Sequence, residues 1–101
     1  MLETAGRLLV RSGASVYDAH PDLSAGDDTF RTLRAWHFQA RFGEMLRRHP
    51  DSFKQSLADN IRAGEGLTGA DVAHALEQRT TLADTMRRFF AEYDVLVLLV
   101  F

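Results

Sequence analysis

Residues 95–101 read Val95-Leu96-Val97-Leu98-Leu99-Val100-Phe101, directly after Tyr93-Asp94. Seven consecutive apolar residues without alternation fit a strand covered on both faces, as in the interior of a sheet. Fully burying one such side chain contributes about 1.5–3 kcal/mol, whereas a small domain is stable by only about 5–15 kcal/mol in total. An uncovered run of this kind is an aggregation site, so the pattern predicts a cover. A second strand is expected around Ser15–Ala19, where Val16 and Tyr17 favour extended backbone and Pro21 restricts His20. Two strands expose two edges, so the reading extends to a broader sheet than this chain supplies.

Helices account for the rest. Leu2, Ala5, Leu8 and Leu9 recur at helical spacing from Leu2 to Ser12, with Gly13 placed for a left-handed cap. A second helix is expected from Asp28 to Arg48, capped by Asp27 or Asp28. Its apolar residues Phe30, Leu33, Trp36, Ala40, Phe42, Met45 and Leu46 spread beyond one stripe, so contact on several sides is expected. A third, Ser52 to Arg62, carries Phe53, Leu57 and Ile61 at i, i+4, i+8. A glycine-rich turn (Gly64, Gly66, Gly69) follows. Thr68 and Asp71 have capping-box spacing ahead of a long helix carrying Val72, Ala75, Leu76, Leu82, Met86, Phe89, Phe90 and Tyr93. The expected fold class is therefore α/β: about four helices and two short strands in one partial domain, 1–101.

Composition narrows the function classes. The chain has 101 residues, a net charge of −2 and no cysteine. There is no disulfide framework and no thiol nucleophile. The slightly acidic balance argues against a nucleic-acid backbone as main partner. A helix-turn-helix reading of 52–79 fails on its long turn and on the apolar length of its second helix. The N-terminal stretch is not a signal peptide and seven apolar residues cannot span a bilayer, so a cytoplasmic location is expected. Arginine outnumbers lysine eleven to one, a skew that suggests a GC-rich bacterial genome.

Chemistry-bearing residues are sparse in pattern. His20, His37, His49 and His74 include no i, i+4 pair, so no metal is expected. Ser52, Lys54 and Ser56 are neighbours, but i and i+2 on a helix face different ways. Arg34, Arg41 and Arg48 repeat every seven residues and read as a solvated helical stripe, with an acidic partner as the sharper possibility. No cofactor-binding glycine motif occurs.

Several stretches together resemble the amidase signature family. "AGRLLVRSGASVYDAHPDL" (5–23) is similar to a helix, short strand and A-x-P segment of its later half. Residues 30–98 resemble the helical region that follows, best at Leu67-Thr68-Gly69-Ala70-Asp71, Arg79 and Phe89-Phe90-x-x-Tyr93-Asp94-Val95-Leu96. The resemblance implies hydrolysis of carbon–nitrogen amide bonds by a serine–cis-serine–lysine triad in a large mixed sheet, without a cofactor. The triad's Gly-Ser-Ser stretch and matching lysine are not in this chain, so no catalytic residue is carried over. The family's proline soon after the Tyr-Asp-Val-Leu run is also missing. The expectation is a truncated fragment, inactive alone, with Trp36 and His37 as the substrate-cleft candidates. The alternative is a non-catalytic helical module. In either case Val95, Leu96, Val97, Leu98, Leu99, Val100 and Phe101 are expected to meet a partner: a second copy, another subunit or the missing remainder.

Overall fold

The computed structural model describes residues 1–100 and is helical throughout its regular parts: α1 (Leu2–Arg11), α2 (Gly26–Arg48), a short 3₁₀ turn (Pro50–Ser52), α3 (Gln55–Arg62) and α4 (Gly69–Glu92). Among the described residues there is no strand, which overturns the α/β expectation. Ser15–Ala19 and Val95–Val100 both lack regular secondary structure. A strand exists only as one side of a hydrogen-bonded ladder. Among the described residues neither segment has a backbone ladder partner, and apolar character alone does not create one. Phe101, the last residue of the strand expected at 95–101, lies outside the described residues.

The chain divides into two compact units. The central unit is Leu23–Asp84, and the other joins Met1–Asp22 to the chain from Thr85 onward. The core of the central unit is the α2–α3 pair. Leu46, Ala58 and Ile61 are buried together, with Phe38, Phe42, Phe53 and Leu57 packed around them. Ile61 is 0% exposed, the one large side chain enclosed completely among the described residues. The i, i+4, i+8 set Phe53, Leu57, Ile61 thus faces the core as its spacing predicts, although α3 begins three residues late. Pro50 sits at the start of the 3₁₀ turn, and Phe53 and Lys54 remain extended before the first helical turn.

The wide apolar spread of α2 is covered only in part, with Phe30, Trp36 and Met45 left exposed. One face meets α3 and the 3₁₀ turn. The buried Thr29 hydroxyl donates to the Ala25 carbonyl at 2.9 Å and lies 3.1 Å from the side-chain amide of Gln78 on α4. Arg34 donates to Asn60 Oδ1 of α3 at 3.2 Å. Between α3 and α4 the chain passes so close to α2 that a Cβ on Gly64 would strike the Ala35 carbonyl oxygen and approach Gln39 Cβ to 2.5 Å. That approach requires glycine.

The helix ends show what was local in the sequence. The Gly13 amide bonds to the Val10 carbonyl at 3.0 Å and that of Ala14 to Leu9 at 3.1 Å, with Gly13 at φ +99°. This is the double-bonded glycine stop of α1. At α4 the Thr68 amide donates to Asp71 Oδ2 at 2.9 Å and the Asp71 amide to Thr68 Oγ1 at 3.1 Å. The capping box is complete. At α2 the expectation fails. The helix starts at Gly26 after Ala25, with no side-chain cap. Asp27 and Asp28 fall inside the first turn, where their charges still favour the positive end of the helix.

Candidate functional site

Trp36 and His37 project from the middle of α2 with ring centroids 5.2 Å apart, and both are exposed. They do not form one site. Trp36, 40% exposed, borders a groove of about 380 Å³ with Leu67, Val72 and Leu76, whereas His37 is not among its lining residues. The remaining walls are Gly64, Thr68, Gly69 and Ala73. The Thr68 hydroxyl is already used in the cap. This is an apolar shelf without an acid, a base or a nucleophile free to act.

A second groove of about 400 Å³ carries the charge: Asp28 and Arg31 from α2, Asp71, His74 and Gln78 from α4. Asp71 is held below the ordinary carboxylate range, first by the Thr68 amide, then by the Thr68 hydroxyl, with a smaller contribution from His74. A hydrogen-bonded anion is easier to form, and the carboxylate is thereby committed to the helix start. Arg31 lies 3.7 Å from Asp27 in a well-exposed pair, worth little energetically. Among the described residues no group of three or more His, Cys, Asp or Glu is arranged to hold a metal.

The other candidates disperse. Ser52 lies in the 3₁₀ turn, Lys54 precedes α3 and Ser56 lies in its first turn, all exposed. His20, His49 and His74 are exposed too. The seven-residue arginine stripe is engaged locally. Arg34 lies over the Phe30 ring at 4.9 Å besides bonding Asn60, Arg41 lies over Phe42 at 5.5 Å, and Arg48 pairs with Glu44 at 2.8 Å. The charged groove was not legible in the sequence, since residues from 28 to 78 meet only in the fold.

The remaining feature is apolar. In the unit that contains α1, the Tyr17 and Tyr93 rings meet edge-on at 5.9 Å and Phe89 stacks on Tyr93 at 4.7 Å. Yet α1 buries none of its residues: Leu8 is 56% and Val10 55% exposed. Val95 is 70% and Val100 95% exposed, with Val97, Leu98 and Leu99 also open. Among the described residues no helix is long and apolar enough to cross a membrane.

A scan against protein-family models, a search of curated proteins and a search of solved structures each find no match to this chain.

Proposed function

We propose that this chain is a non-catalytic, cytoplasmic helical binding module whose working surface is the apolar exposure of α1 and residues 95–100. The observation that carries the reading is the contrast within one chain. The central unit encloses Ile61 completely, while α1 buries nothing despite carrying Leu2, Leu8, Leu9 and Val10. A helix of about ten residues is marginal in water unless an apolar face is packed. Exposed apolar groups in such number mark a surface made to be covered. The test has two arms. Purified chain is assayed against simple amides and esters, with no turnover expected; activity that survives further purification would refute the module. An environment-sensitive apolar dye is expected to bind the isolated chain, and substitution of Leu8 and Val10 by glutamate to reduce that binding.

The amidase signature resemblance supports a second reading. Its best-matching turn, Leu67 to Asp71, is the site of the capping box, and α2, α3 and α4 occupy the stretch that the resemblance reads as helical. In that reading the cover over residues 95–100 is the rest of an amide hydrolase. Restored amide hydrolysis on mixing this chain with a triad-bearing segment would favour it. Failure of the two to associate would remove it.

A further inference from the structure

We infer that the exposed face of α2 is a docking strip for an acidic, amphipathic α-helix of a partner protein. Position on the helix is the first argument. Arg34, Arg41 and Arg48 recur every seven residues, with Phe30 one turn before the first and Met45 between the last two. At about 100° per residue these five fall within about 60° of arc, so charge and apolar surface share one face. The buried residues of α2, Thr29, Leu33, Ala35, Gly43 and Leu46, all lie outside that arc. Phe30 is 59% and Met45 52% exposed, and Arg41 and Arg48 are exposed with them. The face belongs to the central unit, so the inference stands apart from the reading of α1 and residues 95–100.

Charge is the second argument. From Thr29 to Arg48, α2 holds five arginines and one acidic residue, Glu44, in a chain whose net charge is −2. Basic charge is thus segregated onto this helix. The local partners do not neutralise it. Arg34 meets the Phe30 ring and the neutral side-chain amide of Asn60, and Arg41 meets the Phe42 ring. A guanidinium stacked on a ring keeps in-plane N–H donors for a carboxylate. Arg48 pairs with Glu44, but both side chains are well exposed and such a pair contributes little. Spacing is the third argument. Seven residues of helix rise about 10.5 Å. A second helix crossing α2 at a shallow angle offers Asp or Glu at that same interval, with apolar residues between them to cover Phe30 and Met45. A strand of duplex nucleic acid presents a phosphate about every 3.4 Å, so arginines at this spacing would leave most of them unanswered.

Isothermal titration calorimetry of the whole chain with designed helical peptides tests the inference. One peptide carries Glu at every seventh position with leucines beside it. A second has Lys in place of each Glu, and a third keeps Glu but has serine in place of each leucine. The wild type is expected to bind the Glu–Leu peptide, less tightly as salt is raised, and each of the other two about tenfold or more weakly. R34E/R41E is expected to reverse the preference between the Glu and Lys peptides. Far-UV circular dichroism checks that the variant keeps its helix content. If it does not, R41E decides, since it gives up a ring contact and no core packing. A wild type that binds none of the peptides, or all of them alike, overturns the inference. So does a preference that the arginine substitutions leave unchanged, or duplex DNA bound more tightly than the Glu–Leu peptide at the same salt.

Discussion

Ile61 and Gly64 are three residues apart and hold the central unit by opposite means. Ile61 fills space. Its replacement by alanine leaves a cavity among Leu46, Ala58 and their aromatic neighbours, with an expected loss of about 2–5 kcal/mol in urea unfolding; valine is expected to cost about 0.5–1.5 kcal/mol. Gly64 leaves space empty. Gly64→Ala drives a methyl into the Ala35 carbonyl, which is backbone and cannot swing aside, so a loss of about 1–3 kcal/mol is expected. Gly66 has nothing near its would-be Cβ and no left-handed backbone, so Gly66→Ala is expected to be neutral or stabilising by up to about 1 kcal/mol. Equal effects at the two glycines would contradict the close approach. Asp71 gives a pH prediction. Its carboxyl titrates below the usual aspartate value of 3.8 because Thr68 hydrogen-bonds the anion. The cap's contribution is therefore complete above that value and is lost as pH falls through the lowered one. Carboxyl-carbon NMR titration is expected to find Asp71 among the most acidic aspartates, and Thr68→Val to move it back upward.

At the scale of elements, the helices were legible where the deciding chemistry is local. The Thr68–Asp71 box and Gly13 each announce a helix end within four residues, and both form as read. The start of α2 was misread because an aspartate's capping value depends on which residue leaves helical geometry first. Here Ala25 at the N-cap position is still in right-handed helical geometry, and the chain enters α2 through a turn closed by the Gly26 amide on the Leu23 carbonyl at 2.9 Å, ahead of both aspartates. Val95–Val100 was misread for a different reason. An unbroken apolar run reports a demand for cover, and the demand is visible in its exposure, but strand geometry needs a partner that no local pattern encodes. The candidate site follows the same division. Trp36 was named as a cleft candidate only from its place in the family resemblance, and its groove with Leu67, Val72 and Leu76 joins residues up to forty positions apart and carried no periodic signal. α1 offers the element-scale prediction. A helix this short without buried residues is marginal in water. Circular dichroism is expected to show part of the helix signal melting ahead of the cooperative unfolding of α2 and α3.

At the scale of the whole molecule, stability and exposed apolar surface are divided between the two units. Leu23–Asp84 holds the enclosed core. The unit with α1 holds most of the open apolar residues, while Leu23, Phe30, Trp36 and Met45 are open in the central unit. Local opening follows buried apolar contact, so the amides of α2 and α3 around Leu46 and Ile61 are expected to exchange last and those of α1 first. I61A should lower protection throughout α2 and α3. The central claim, that α1 and residues 95–100 are a surface awaiting a protein cover, is tested most directly by titrating an environment-sensitive apolar dye onto the wild type and onto L8E/V10E. The wild type is predicted to bind the dye and the variant to lose most of that binding with its helix content kept. A wild type that binds no dye, or a variant that binds it as well as the wild type does, would contradict the account.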